Sequence, residues 1–140
     1  MAPMPDEDAM RQPIHPYAAT AMEGWLVGCA GATAVLFGAF GAHALRGVLD
    51  AQGVELWHTA SQYHFWHALA LALAVAVARG RPRRCAVIAF ALGIVLFSGS
   101  LYALALGAPR WIGAITPCGG AAFIAGWILL GCACCGAARK

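Results

Sequence analysis

Four long apolar runs alternate with short polar segments along this chain, and each run has the length of a membrane-spanning helix. The runs cover residues 21–45, 59–78, 85–106 and 111–135. An α-helix needs about 20 apolar residues to cross the ~30 Å hydrocarbon core of a bilayer. Because the connections are short, the pattern predicts an all-α membrane protein, a bundle of four antiparallel transmembrane helices.

The two ends of the chain differ from this apolar middle. Residues 1–20 contain four prolines and three neighbouring acidic residues, a composition that predicts a disordered tail. Residues 21–136 form the predicted membrane domain, and residues 137–140 form a short basic end.

Lysine and arginine are unevenly shared between the two sides of the predicted membrane. The side with both termini and the second connection has seven of these residues, and the other side has two. The seven are Arg11, Arg79, Arg81, Arg83, Arg84, Arg139 and Lys140, and the two are Arg46 and Arg110. Basic residues accumulate on the cytoplasmic side of membrane proteins, so both termini are predicted to be cytoplasmic.

The composition supports a membrane protein and excludes a nucleic-acid-binding one. Apolar residues make up 61% of the chain and charged residues 11%, whereas soluble domains have about 45–50% and about 25%. The net charge of +3 is divided among the connections, and a nucleic-acid surface needs basic residues clustered on one face. The predicted partner is therefore the lipid bilayer, with no nucleic acid.

Small residues recur every four positions in two of the spans. Such stripes let helix backbones approach closely in lipid, although an alanine-rich composition also produces them by chance. They favour packing within the bundle, in a homo-oligomer or in a larger membrane complex. The stripes are Gly24, Gly28 and Ala32, then Ala34, Gly38 and Ala42, and in the fourth span Ala122 and Gly126.

Polar side chains from all four spans are predicted to lie at one level in the outer half of the membrane. Polar and ionisable residues inside a span are by default a functional hypothesis. This candidate polar cluster, or ligand site, consists of His43, Gln62, His64, His67, Ser98, Ser100, Tyr102 and Thr116.

Several chemistries fit this cluster. The histidines and hydroxyls could join the helices by hydrogen bonds, or they could bind a small molecule or relay protons. His43, His64 and His67 could also bind a metal ion or haem, because imidazole is a ligand for zinc, copper and iron. The spans contain no carboxylate pair and no nucleophile motif, so we expect neither an enzyme nor a cofactor.

Two further groups of residues each have two interpretations. Arg79, Arg81, Arg83 and Arg84 could contact anionic lipid head groups, or they could serve only to set the topology. The cysteines near the C-terminus could bind a soft metal or accept an acyl chain, or they could be small apolar filler.

Each of the four spans contains a distinctive motif. The motifs are GAFGAH at 38–43, YHFWHALAL at 63–71, LFSGSLY at 96–102, TP-x-GG at 116–120 and AGW at 125–127. Together they resemble domain-of-unknown-function family 423, the YgdD-like small membrane proteins. The resemblance implies a multi-pass protein of the bacterial inner membrane and no particular reaction. The family pattern often has Gln at the position of His64, which argues against a required metal ligand there.

These observations predict an integral membrane protein without an assigned reaction, acting as a non-catalytic accessory or structural subunit. The alternative is a protein that binds a metal, haem or a small apolar ligand at the histidine cluster. The two differ in whether His43, His64 and His67 converge in space.

Overall fold

The computed structural model describes residues 19–137, and the regular structure in this part of the chain is entirely helical. The helices are α1 (Ala21–His43), α2 (Ala51–Val77), α3 (Gly80–Gly93), α4 (Gly99–Ala105) and α5 (Thr116–Ala137). A π-helical segment, Ile94–Ser98, joins α3 and α4 into one rod, and a 3₁₀ helix, Arg110–Ala114, precedes α5. The all-α prediction is confirmed. Most of the predicted tail and basic end lie outside the described residues.

Two segments predicted as connections are helical instead. α2 begins at Ala51 rather than at residue 59, because the Asp50 side chain accepts a hydrogen bond from the Gly53 N–H at 2.7 Å and caps the helix. α3 begins at Gly80, inside the predicted basic turn. Pro82 is tolerated there because the first N–H groups of a helix have no intrahelical partner.

α2 lies at the centre of the fold, with α1, the α3–α4 rod and α5 all packed against it. Neighbouring helices run in opposite directions. Trp57, early in α2, donates its indole N–H to the carbonyl of Phe37, late in α1, at 2.9 Å. Tyr102, late in the rod, donates its hydroxyl hydrogen to Ser61 in the first half of α2 at 3.2 Å.

α3 and α5 form the tightest pair, and glycines make their approach possible. A Cβ atom placed on Gly126 would lie 2.7 Å from the ring of Phe90, and one on Gly93 would overlap the ring of Phe123. Glycine is therefore required at these positions, since an aromatic ring fills the space of the missing side chain. The predicted packing role of Gly126 is confirmed.

The π-helical segment widens the rod where it meets the start of α5. The backbone nitrogen of Phe97, in this segment, lies so close to Gly119 that an added Cβ would overlap it. A π-turn contains an extra residue, which makes the backbone bulge. The bulge and the glycine thus fit together as a backbone-to-backbone contact.

α1 is attached more loosely than the other helices. A Cβ atom added to Gly24, Gly28 or Gly38 would meet no other atom within 4 Å. Ala32 is exposed, whereas Ala34 is buried. The first predicted stripe therefore faces away from the bundle and packs against none of residues 19–137.

Three helical segments are long and apolar enough to cross a membrane: Ala21–His43, Gly80–Ala105 and Arg110–Cys135. In the described residues, α2 is not among them. Its 27 residues exceed the length needed, but its first half contains the polar residues that the sequence places at one level.

Candidate functional site

The polar side chains of α2 point into two different parts of the bundle. His64 and His67 are both buried, with 3% and 6% of their surface exposed. They are three residues apart, which turns one side chain by about 60° from the other around the helix axis. Because α2 is surrounded by helices, this rotation gives the two imidazoles different neighbours.

His64 faces α1 and the outer end of the rod. Its Nε2 atom lies 3.3 Å from the hydroxyl oxygen of Thr33 on α1. The rings of Phe37 and Tyr102 each contact it edge-on, with centroids 6.2 Å away. Its other nitrogen, Nδ1, is buried and has no hydrogen-bond partner in the part of the chain that the structure describes.

The hydrogen bonds of Thr33 fix the tautomer of His64. The single hydroxyl hydrogen of Thr33 is donated to the carbonyl of Cys29 at 2.6 Å. The Thr33 oxygen can therefore only accept from His64, so Nε2 carries the hydrogen of the neutral ring. It follows that Nδ1 has a bare lone pair, an acceptor with no donor.

His67 faces α5 and is fully bonded. Its ring stacks on Phe123 with centroids 3.5 Å apart. Nδ1 donates to the carbonyl of Tyr63 at 2.7 Å, and Nε2 accepts from the indole N–H of Trp127 at 3.3 Å. Both nitrogens are occupied, so His67 has a structural role.

His43, His64 and His67, whose convergence separates the two functional hypotheses, do not converge in the structure. His43 is exposed at the end of α1, and the two buried histidines lie on different sides of α2. Among residues 19–137, no group of three His, Cys, Asp or Glu side chains is placed to bind a metal ion. A metal site made from these three residues is therefore excluded by their positions.

The remaining members of the predicted cluster do not form one site. Ser100 and Thr116 join the rod to α5 by a hydrogen bond of 2.7 Å between their hydroxyls. Ser98 is fully buried, and its hydroxyl has no partner among residues 19–137. Gln62 is exposed in the first half of α2.

A buried ion pair at the opposite end of the bundle was not predicted. Arg83, in α3, binds both carboxylate oxygens of Glu23, in α1, with its Nε donating at 2.9 Å. The backbone N–H and hydroxyl of Thr20 also donate to this carboxylate, at 2.8 and 3.1 Å. Only 7% of the Glu23 side chain and 11% of the Arg83 side chain are exposed.

This ion pair corrects one part of the arginine prediction. Arg83 is buried and bonded to Glu23, so it does not contact lipid head groups as that prediction required. Arg79, Arg81 and Arg84 are exposed. The pattern Thr20-x-x-Glu23 is a capping-box signature visible in the sequence. Its arginine partner is 60 positions away, and only the packing of α1 on α3 reveals it.

Two crevices open on the sides of α1. The outer crevice, about 630 Å³, lies between the second half of α1 and the start of α2, and includes Arg46, His58 and Gln62. The inner crevice, about 370 Å³, lies between α1 and the rod, with His64 of α2 in its wall. Its lining is mainly apolar, and Thr33 and Tyr102 also reach it.

Comparison with known proteins identifies the family. The model of the family described as "Protein of unknown function (DUF423)" matches residues 37–120. The UPF0382 membrane protein YwdK of Bacillus subtilis is 46% identical over 102 residues, which cover 69% of this chain and 82% of that protein.

Two relatives from other bacteria agree. A UPF0382 membrane protein of Haemophilus influenzae is 43% identical over 75% of this chain and 86% of its own length. The UPF0382 inner membrane protein YgdD of Escherichia coli is 43% identical over 69% of this chain and 76% of its own length. No solved structure matches significantly. The chain thus belongs to the DUF423 family, whose members are membrane proteins of unknown function.

Proposed function

We propose that this membrane protein spans the bacterial inner membrane four times, with both termini in the cytoplasm, and acts as a non-catalytic accessory subunit. In this proposal it associates with a second copy through α1. The observation that carries the proposal is the open small-residue face of α1, at Gly24, Gly28 and Ala32.

The position of α2 supports the fourth span. Hydropathy counts each residue as if it faced lipid, but His64 and His67 of α2 are buried. Its exposed polar side chains, Gln52, Glu55, His58 and Gln62, all lie before residue 63, toward one end of the helix. Ser61, His64 and His67 bond to Tyr102, Thr33 and Trp127 on the surrounding helices. A helix can cross a membrane with such bonded polar residues, because lipid does not meet them.

The α1 face supports self-association. Glycines four residues apart on two copies of one helix let the backbones approach closely, and a stripe of this kind is self-complementary. The glycines at the α3–α5 contact are already filled by aromatic rings of the same chain. On α1, Gly41 is filled in the same way by the ring of Trp57, whereas Gly24 and Gly28 meet no other atom of the described residues within 4 Å and are open to a helix of another molecule.

The hydrogen bonds of the polar side chains support a non-catalytic role. A serine nucleophile needs a histidine with a free nitrogen within reach to act as a base. Both nitrogens of His67 are bonded, and the hydroxyl of Ser100 is shared with Thr116. Among residues 19–137 the Ser98 hydroxyl and Nδ1 of His64 are unpaired, and they are not bonded to each other. His67 and Ser100 therefore join helices.

Substitution of Gly28 tests the proposed association. The wild-type protein, released gently from its membrane, is expected to show a dimer mass by native mass spectrometry. Gly28→Leu should abolish the dimer, because the larger side chain separates the two backbones. Gly131→Leu is the matched control, since a Cβ at Gly131 also meets no atom within 4 Å.

Two results would contradict the association through α1: a wild-type protein that is always monomeric, or a Gly28→Leu dimer as abundant as that of the wild type. If the native mass included a different subunit, the protein would associate with another membrane protein rather than with a second copy of itself. Topology is tested separately by reporter fusions after Gly107 and after Lys140. A cytoplasmic signal after Gly107 would refute four spans with both termini inside.

A further inference from the structure

The α1 wall of the outer crevice is made of residues with little or no side chain. Ala34, Gly38 and Ala42, the second small-residue stripe of the sequence, all line it. A Cβ atom added to Gly38 would meet no other atom of the described residues within 4 Å, so the space beside it is open. The small side chains of this stripe therefore leave room along α1 for a molecule from outside the bundle.

The α2 wall changes from polar to apolar along its length. His58, Gln62 and Trp66 follow one another at four-residue spacing, so they lie on one face of the helix. All three line the crevice and are exposed, as does Arg46 in the connection between α1 and α2. From the connection inward, the crevice thus presents a cation, then two neutral hydrogen-bond donors, then an aromatic ring.

The charge of the lining favours an anionic group at the mouth. Among the described residues that line the crevice, Arg46 has the only permanent charge, and no Asp or Glu is present. Arg46 forms no ion pair within residues 19–137. The nearest carboxylates along the chain, Asp50 and Glu55, do not line the crevice, and Asp50 accepts a hydrogen bond as the cap of α2. A guanidinium group is well matched to a phosphate, which it can bind through two parallel hydrogen bonds.

The crevice is as deep as one leaflet of a bilayer. Ala34 is its deepest residue on α1 and lies nine residues before His43, where the helix ends. At ~1.5 Å rise per residue this depth is about 14 Å. Half of the hydrocarbon core is about 15 Å. An amphiphile of one leaflet therefore fits the crevice in both length and order of polarity.

We propose that the outer crevice binds one phospholipid of the surrounding leaflet. Arg46 pairs with its phosphodiester, His58 and Gln62 donate to the ester carbonyls of its glycerol, and one acyl chain lies beside Gly38 and Trp66. That this is the outer leaflet rests on the proposed four-span topology, whereas the binding does not. The site is also separate from the proposed association, because Gly24 and Gly28 do not line the crevice.

Native mass spectrometry of delipidated protein with added lipid measures the binding. The probe is dioleoyl phosphatidylglycerol, and the control is dioleoylglycerol, which has the same chains and no phosphate. Phosphatidylglycerol should bind at one saturable site, about fivefold more tightly than dioleoylglycerol. Arg46→Gln should remove this difference. Arg110→Gln is the matched control, since Arg110 is also exposed but does not line the crevice.

Photo-crosslinking locates the acyl chain. Phosphatidylglycerol with a diazirine in one acyl chain should label the peptide that contains Phe65 and Trp66, which both line the crevice. Gly38→Leu should fold normally, because the site has room for a side chain, and should abolish the labelling and the saturable binding. Gly131→Leu, outside the crevice, should retain both.

Four results would overturn the proposal. Three are equal binding of the two lipids to the wild type, an unchanged preference in Arg46→Gln, and unchanged labelling in folded Gly38→Leu. The fourth is loss of the dimer in Gly38→Leu with lipid binding retained, which would make a second copy the occupant. Gly28→Leu should bind phosphatidylglycerol as the wild type does, so the lipid site and the association through α1 can fail separately.

Discussion

The two sides of α2 are built in different ways. On one side, α3 and α5 meet through glycines whose missing side chains are replaced by the rings of Phe90 and Phe123. On the other side, α1 packs against α2 with the ring of Trp57 filling the space beside Gly41, while Gly24, Gly28 and Gly38 are open. The Glu23–Arg83 ion pair and the hydrogen bond from Trp57 to Phe37 also hold α1. Both crevices border α1.

The difference shows what glycine does in each place. Between α3 and α5 it permits close packing inside the chain, so any side chain there creates overlap. At Gly24 and Gly28 of α1 it leaves a surface that none of residues 19–137 covers. We therefore expect the α3–α5 pair to be the more stable framework, and the open face of α1 to be the part that meets another copy.

The largest expected effect comes from breaking the ion pair that anchors α1. Arg83→Leu leaves the Glu23 carboxylate buried without its partner, which should lower the free energy of unfolding by about 3–5 kcal/mol. The measurement is reversible unfolding by sodium dodecyl sulfate in mixed micelles. The double variant Glu23→Leu with Arg83→Leu should recover most of the loss, and a single variant as stable as the wild type would contradict the anchoring role.

The next effect tests the close contact between the rod and α5. Gly119→Ala places a methyl group against the backbone of Phe97, and overpacking of this kind should lower the free energy of unfolding by about 1–3 kcal/mol. Gly28→Ala is the matched change on the open face of α1. It should be neutral or raise stability by up to about 1 kcal/mol, because alanine favours helix. The measurement is the midpoint temperature of thermal unfolding of each variant. If that temperature changed equally in Gly119→Ala and Gly28→Ala, the two regions would not differ in packing.

A smaller and more local effect should follow from Trp57→Phe. The phenyl ring preserves much of the packing but cannot donate to the carbonyl of Phe37, a loss of about 0.5–1.5 kcal/mol. Hydrogen exchange should accelerate in the last turns of α1 and remain unchanged in α5. Trp111→Phe, at an exposed position, serves as the control, and faster exchange throughout the protein would show that the effect is not local.

The smallest effect is expected at Ser98, on the packed side. Ser98→Ala removes a buried hydroxyl that has no partner, so the free energy of unfolding should stay within about 0.5 kcal/mol or rise. Ser100→Ala, two residues on, breaks the bond to Thr116 and should lower it by about 0.6 kcal/mol. A larger loss at Ser98 than at Ser100 would mean that Ser98 has a partner, such as an internal water.

The apolar runs predicted the helical fold well, because the bilayer imposes a length and a composition on every spanning helix. The predicted starts of α2 and α3 lie several residues too late, because hydropathy detects only the apolar part of a helix. The actual starts are set by the cap at Asp50 and by the tolerance of a first helical turn for Pro82. Such starts lie in polar segments, where hydropathy provides no signal.

The candidate site was predicted only in outline. The three-residue spacing predicts that His64 and His67 share a face of α2, yet His64 contacts Thr33 and His67 contacts Trp127. Spacing could not show this separation, because it depends on which helices surround α2. The same limit applies to Glu23 and Arg83, whose pairing depends on how α1 lies against α3.

The central position of α2 also affects how the protein is made. Translation delivers the helices to the membrane in order, and a translocon favours apolar segments over polar ones. While His64, His67 and Ser61 have no hydrogen-bond partners, α2 by itself would partition poorly from the translocon into lipid. If the protein spans the membrane four times, we expect α2 to leave the translocon only after α1 and then the rod have packed against it. Insertion and folding of α2 would then take place in one step.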